Sequence, residues 1–351
     1  MFDEILREGA KDRVFSNASL GVLNNGEWDF FNYGFEFDSD LKPSTTKITE
    51  ESIFDCASVT KTFPTGILAL HFIDQNKIGL EDPVVKWIPE LSMKEASKIT
   101  LKHLLTHTLD YSFSLASMKL NTPQEIWKKL TSWEFPIPPG ESYLYCNSTS
   151  VLLGVLLERI GGASLSELTQ QYLLNEMDLK KTGFNPLESN ALQKIVPTEN
   201  DSWRGRVIRG EVHDESASVL KEVCCPGSAG LFSCTNELSK IVDELLLADQ
   251  GGSKGFSKEL FNNALENYSP VKNVEVALGF ERNQTRFMGE FKGFNVVGKT
   301  GFTGATLVFS PEISKAYVLL CNYTWPQRKV NSQQMNDFRS KISNQLWDLP
   351  R

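Results

Sequence analysis

Two short patterns place a nucleophile, bases and an amide where they could cooperate. In "FDCASVTKTFPTG", Ser58 and Lys61 stand three apart. Residues i and i+3 share a face on a helical turn, so the lysine amine can reach the serine hydroxyl. A serine hydroxyl is a weak nucleophile until a neighbouring base takes its proton. A lysine serves as that base where burial and nearby positive charge lower its pKa. In "PIPPGESYLYCNSTSV", Tyr145 and Asn147 are two apart, and in an extended segment they would face one pocket. A phenol beside lysine ammoniums can lose its proton and act as a base, while the Asn offers an amide to a substrate. Taken alone, the second pattern also reads as a core tyrosine before an Asn-capped helix.

Both readings need context. Ser-x-x-Lys occurs five times, starting at Ser39, Ser44, Ser58, Ser218 and Ser269. Only the Ser58 copy has an apolar strand before it and a long apolar helix after it. "KTGF" occurs twice, at Lys181–Phe184 and Lys299–Phe302. The first follows the helical stretch "LLNEMDLK" and precedes Asn-Pro, which predicts a loop in which Gly183 ends a helix. The second lies between β-runs, with glycines at 298, 301 and 304. There a ligand can approach the backbone, Lys299 can enter a cleft, and backbone N–H groups can serve an oxyanion. The second copy is the candidate.

Elements to position these residues can be read along the chain. Residues 2–13 predict an amphipathic helix, and Asn24-Asn25-Gly26 predicts the turn of a hairpin. "SIFDCAS" reads as a short strand, followed by a helix from Ser58 to about Gln75, with Pro64 expected to kink it. Residues 76–265 read as helical patches broken by turns. From about residue 275, short β-rich runs predict an antiparallel meander, and an amphipathic helix closes the chain. The expected fold class is α+β: an antiparallel sheet built from N- and C-terminal segments, flanked by helices, with an inserted, mainly helical subdomain. One domain is expected over 1–351, its α/β lobe at about 1–60 and 270–351 and its helical lobe at about 61–269, with the site between them.

Composition excludes some classes. A net charge of −8 without a basic run argues against nucleic-acid binding. The apolar stretches stop short of the ~20 residues a membrane span needs. The first dozen residues are charged and show no signal-peptide pattern, so a cytoplasmic location is expected. The six cysteines show no metal-like spacing and are expected to be free thiols. His213-Asp214-Glu215 invites a metal reading, but three adjacent residues cannot converge on one ion, and "HLLTH" (His103 to His107) lacks the glutamate of a metalloprotease motif. No metal and no cofactor are expected.

Ser58-x-x-Lys61, Tyr145-x-Asn147 and Lys299-Thr300-Gly301, in that order, resemble the penicillin-recognising serine hydrolases, on the class C β-lactamase-like branch. Flanking segments such as "ITLKHLLTHT", "GEVHDESA" and "GSAGLFSCTNELSKI" extend the resemblance over about residues 15–325. The resemblance implies that Ser58 forms an acyl-enzyme, that Lys61 and Tyr145 share base and acid roles, and that Asn147 binds a substrate amide. It implies that Lys299 and Thr300 hold the charge state of Tyr145 and meet a substrate carboxylate. Gly301 belongs to the same motif, and the N–H groups of Ser58 and Phe302 would form the oxyanion hole. The implied substrates are a β-lactam, a D-amino-acid amide or peptide, or a carboxylic ester. Relatives acting as esterases or peptidases often carry His in place of Lys299, so the lysine tilts toward carboxylate-bearing substrates. An esterase is the alternative, and a non-catalytic binding protein on this fold is the rival of another class. Leu109-Asp110 replaces the usual Ser-Gly and is expected to reshape the pocket wall. Oligomeric state is open.

Overall fold

The computed structural model describes residues 1–253, 257–329 and 331–350. Helix α1 (Phe2–Lys11) leads into strands β1 (Ala18–Asn24) and β2 (Glu27–Tyr33). Their turn residues Asn25 and Gly26 both take positive φ, 55° and 80°, the backbone a tight hairpin requires. Five later strands complete the sheet: β3 (Val276–Ala277), β4 (Phe280–Arg282), β5 (Val297–Thr300), β6 (Thr306–Ser310) and β7 (Lys315–Cys321). The order is β2-β1-β7-β6-β5-β4-β3, with every neighbouring pair antiparallel. The N-terminal hairpin therefore docks on the C-terminal meander, with Leu20 opposite Leu319.

Strand β7 explains why the sheet is stable. Tyr317, Leu319 and Cys321 pack with α1 and the C-terminal helix Gln333–Trp347, whereas Ala316, Val318 and Leu320 belong to the core on the other face. Alternate side chains serve opposite faces. Both faces are covered, so "KAYVLLC" is buried throughout and reads as one apolar run.

The helical lobe contains α2 (Ile67–Asp74), α3 (Leu101–Thr106), α4 (Pro123–Thr131) and α5 (Asn147–Gly161). Helix α5 is its axis, with every residue from Ser148 to Leu157 buried. The sequence places α6 (Thr235–Gln250) in this lobe as well, but the helix lies against the sheet. Ser19 and Thr235 share a hydrogen bond of 2.5 Å, and the Trp28 indole donates to Asp243 at 2.9 Å. Its apolar stripe covers the sheet face that α1 and the C-terminal helix, α7 (Gln333–Trp347), leave open.

Three local expectations change. The helix expected from Ser58 to Gln75 is broken: Ala57–Lys61 is a tight 3-10 turn, a wider turn follows at Thr62–Gly66, and regular α-helix begins at Ile67. Phe63 takes φ −118° and ψ 122° before a cis Pro64, the extended backbone favoured ahead of proline. Gly183 caps no helix. The Glu237 carboxylate takes the N–H groups of Lys180 and Lys181, and Gly183 exchanges backbone hydrogen bonds with Phe232. The mostly helical region also holds short strand pairs, Phe54–Asp55 with Phe232–Ser233 and Glu199–Asp201 with Arg206–Ile208.

The turn after β5 is held from behind and pressed from in front. Buried Arg339 on α7 donates to the carbonyl of Gly301 at 2.8 Å and to Thr306 at 2.7 Å. On the other side, a Cβ at Gly301 would meet the Cys56 carbonyl oxygen at 2.5 Å. The turn after β5 thus touches the segment before the nucleophile closely at this glycine, two residues from Lys299 on one side and, at Cys56, two from Ser58 on the other. Gly301→Ala is expected to cost about 1–3 kcal/mol by overpacking, read as a lower denaturant midpoint at unchanged slope. An unchanged midpoint would contradict the close approach.

Candidate active site

Ser58 enters the cleft on a strained turn. The short strand Phe54–Asp55 ends against Phe232, and Ala57 takes φ +44°, a region alanine rarely adopts. Asp55 holds that turn: Oδ1 accepts from the Ala57 N–H at 2.7 Å and Oδ2 from the His213 N–H at 2.8 Å. Burial raises the Asp55 pKa, and the neighbouring His213 opposes that shift. In the 3-10 turn, i and i+3 side chains eclipse. Lys61 Nζ accordingly donates to Ser58 Oγ at 2.8 Å and to the Ser228 carbonyl at 2.8 Å. Lys61 is almost wholly buried.

Tyr145 lies between two ammoniums. Lys299 Nζ is 3.9 Å from its ring centroid and Lys61 Nζ 5.4 Å. Burial acts to raise the phenol pKa, but Lys299, Lys61 and a hydrogen bond with Ser58 outweigh it and hold it below the ordinary value. The residue is still 41% exposed. Tyr143, two residues earlier, is pushed the other way, up to about 12, by burial and then by Glu281. The two phenols are thus displaced in opposite directions.

Two residues that sequence reasoning missed complete this centre. Lys299 Nζ donates to Glu281 Oε1 at 2.6 Å, both groups buried. Arg286 pairs with the other oxygen of the same carboxylate. Burial works against the charge of Lys299, yet Glu281 and Tyr145 keep its pKa above the ordinary value. Glu281 in turn is held below the ordinary carboxylate range, against its burial, by Lys299 and Arg286. The second missed residue is His107, whose ring sits 4.9 Å from that of Tyr145 and whose Nδ1 bonds the Thr149 hydroxyl at 2.6 Å. Burial, Lys299 and Lys61 push its pKa well down, so the imidazole is neutral. A carboxylate inside the buried strand "FER", paired with the Lys299 strand, was the signal available for Glu281.

The remaining candidates line the same region. Thr300 closes β5 opposite Thr306. Phe302 is 49% exposed and stacks on His213 at 5.8 Å and 23°. His213, Asp214 and Glu215 each have a separate partner. His213 Nε2 bonds Glu199 Oε2 at 2.5 Å, and Arg328 bridges Glu199 and Glu215. Burial favours protonation of Glu199, but His213 and Arg328 hold it down to about 2. Asp214 Oδ2 accepts from Asn147 Nδ2 at 2.9 Å. Asn147 is the first residue of α5, not part of an extended segment. The other KTGF copy lies elsewhere, with Lys181 paired to Glu51 at 2.5 Å and Thr182 bonded to Glu237. Leu109 and Asp110 are buried, and the Asp110 carbonyl accepts from the Trp133 indole. All six cysteines are free. Among the described residues no helix is long and apolar enough to cross a membrane.

Comparison with known proteins agrees with this architecture. A solved beta-lactamase/D-alanine carboxypeptidase from Pseudomonas syringae superposes with a TM-score of 0.75 at 19% identity, covering 99% of this chain and 98% of that one. The hydrolase EstCE1, described as having promiscuous acyltransferase activity, gives 0.69 at 17% identity over 96% and 97%. These likenesses carry the fold alone. An N-acetylmuramyl-L-alanine amidase of Bacillus subtilis (strain 168) is 25% identical over 88% of this chain and 77% of its own. Residues 2–338 match the family model described as Beta-lactamase, and the chain belongs to that family of hydrolases.

Proposed function

We propose that the protein is a serine hydrolase working through a covalent Ser58 acyl-enzyme. The observation that carries the reading is the Lys61 ammonium, which donates to Ser58 Oγ at 2.8 Å and lies 5.4 Å from the ring of Tyr145. Lys61 Nζ gives a hydrogen to Ser58 Oγ, so the serine's own proton is left for another base, and in this reading that base is Tyr145. A phenol held below its ordinary pKa is suited to accept it. Ser58 Oγ then attacks the substrate carbonyl carbon, and the proton moves to Tyr145. The N–H groups of Ser58 and Phe302 stabilise the oxyanion. As the leaving group departs it takes the proton from Tyr145, and water later cleaves the Ser58 ester by the same route. Lys299 acts mainly on Tyr145, because its charge favours the phenolate.

The acyl substrate is a β-lactam, a D-amino-acid amide or peptide, or an ester. Glu281 supports the esterase reading. Lys299 already has a buried carboxylate partner, so a substrate carboxylate would have to compete with Glu281 or turn to Arg286, whose side chain is 50% exposed.

Intact-protein mass after brief mixing with a penicillin and acid quench tests the nucleophile. A stable adduct or hydrolysed drug is expected with the wild type, and neither with Ser58→Ala. An adduct or ester turnover that survives Ser58→Ala would sink the mechanism. No adduct, together with Ser58-dependent ester turnover, would select the esterase.

The pH profile tests the role of Lys299. Activity should rise with pH as Tyr145 ionises. Lys299→Met removes the positive charge that lowers the phenol pKa, so this rise should move to higher pH. The rate should also fall by on the order of 10²–10⁴. Lys181→Ala should leave the profile in place. The reverse pattern would assign the site to the first KTGF copy.

A further inference from the structure

We propose that a second cavity, lined by none of the active-site residues, binds a small ligand with a flat apolar body and an anionic head group, a carboxylate or a phosphate. The cavity measures about 660 Å³, within the range of small-molecule sites. Tyr33, Phe35, Phe37 and Trp325 supply its aromatic surface. Tyr33 and Phe35 remain exposed although both are large and apolar. Trp325 meets Phe37 edge-on at 5.4 Å, and Phe15 meets Tyr33 in the same way at 6.4 Å, so these rings have set orientations. A flat apolar body packs on such rings by offset stacking or edge contact.

The charge around this surface has one sign. The chain carries −8 overall, yet no Asp or Glu lines the cavity, whereas Arg7 of α1 and Lys47 of the short strand Pro43–Lys47 both do. Both are exposed, and neither side chain forms a hydrogen bond, ion pair or ring contact with a described residue. Glu36, Asp38 and Glu50, from the same stretch of chain, are engaged elsewhere. Glu36 pairs with Lys194 at 2.8 Å, Asp38 accepts the N–H groups of Asp40 and Lys42 at 2.9 Å each, and Glu50 accepts from the Asn32 amide at 3.1 Å. Two unpaired cations beside an aromatic surface complement an anion carried on an apolar body. The frame is already built. Asn17 donates to the Phe35 carbonyl at 2.6 Å, and Arg209 to the Phe37 and Asp38 carbonyls at 2.9 Å each. Gly34 takes φ 102°, and a Cβ there would meet the Ser16 carbonyl oxygen at 2.7 Å. The ordering cost of binding then falls mainly on the two long basic side chains.

Isothermal titration calorimetry at low salt tests the assignment with three probes: 2-naphthoate, 2-naphthyl phosphate and the neutral 2-naphthylmethanol. The wild type is expected to bind at least one anion about tenfold more tightly than the alcohol, and the better anion names the head group. Arg7→Gln and Lys47→Gln should each weaken that anion about threefold. The double variant should bring it to within about twofold of the alcohol. Phe35→Ala should weaken all three probes alike, because it removes apolar contact without touching charge. Arg7, Lys47 and Phe35 are exposed, so folding should survive each change, read as an unchanged thermal midpoint. Equal affinity for anion and alcohol overturns the proposal. So does an anion preference that persists in the double variant, which would put the probe at another cation such as Arg286. Failure of both anions to bind at about 1 mM overturns it as well.

Discussion

Two lysine ammoniums and one phenol share a crowded space, and much of the architecture serves to make that tolerable. Burying a charge is costly unless it is paired and hydrogen-bonded. Lys299 meets this with Glu281 and the face of Tyr145, and Lys61 with the Ser228 carbonyl and the Ser58 hydroxyl. What remains uncompensated is positive potential on the phenol oxygen, which lowers the Tyr145 pKa despite burial. A neutral His107 beside the ring adds no third charge.

The centre needs both lobes. Lys299 and Glu281 come from neighbouring sheet strands, Tyr145 from the segment entering α5 and Asn147 from its first residue. The 3-10 turn between them supplies Ser58 and Lys61. Contact at Gly301 and the anchoring by Arg339 keep sheet and turn in register. On the opposite flank, Asp55, His213 and Glu199 form a buried polar chain that ends on the exposed ring of Phe302 through the His213 stack. Fully satisfied networks of this kind rigidify what they touch.

Much of this was legible in the sequence, for physical reasons. The hairpin turn, the C-terminal meander and the terminal helices are local patterns with strong periodicity or turn chemistry. The order of the three motifs, with the flanking segments that resemble the family, pointed to the fold. The choice of Lys299 over Lys181 followed from strand context, and only Lys299 is near Tyr145. The unreadable parts are tertiary. Nothing local announces that Glu281 pairs with Lys299, or that Asp214 accepts from Asn147. The α6 stripe fits a helical lobe or a sheet face equally well, and Gly183 resembled a helix cap until Glu237, 54 residues on, took the preceding N–H groups. Pro64 did signal a break in the helix after Ser58, but not how the chain around Phe63 would absorb it.

The central claim is that Tyr145 ionises more readily than an ordinary tyrosine. The most direct test is an ultraviolet titration of phenolate absorbance, comparing the wild type with Tyr145→Phe. The chain has eight tyrosines, so the difference between the two curves isolates one. The account predicts a single phenolate forming below the ordinary value near 10 and absent from the variant. Curves that coincide until ordinary tyrosines begin to titrate would show that the two lysines do not do what the structure implies.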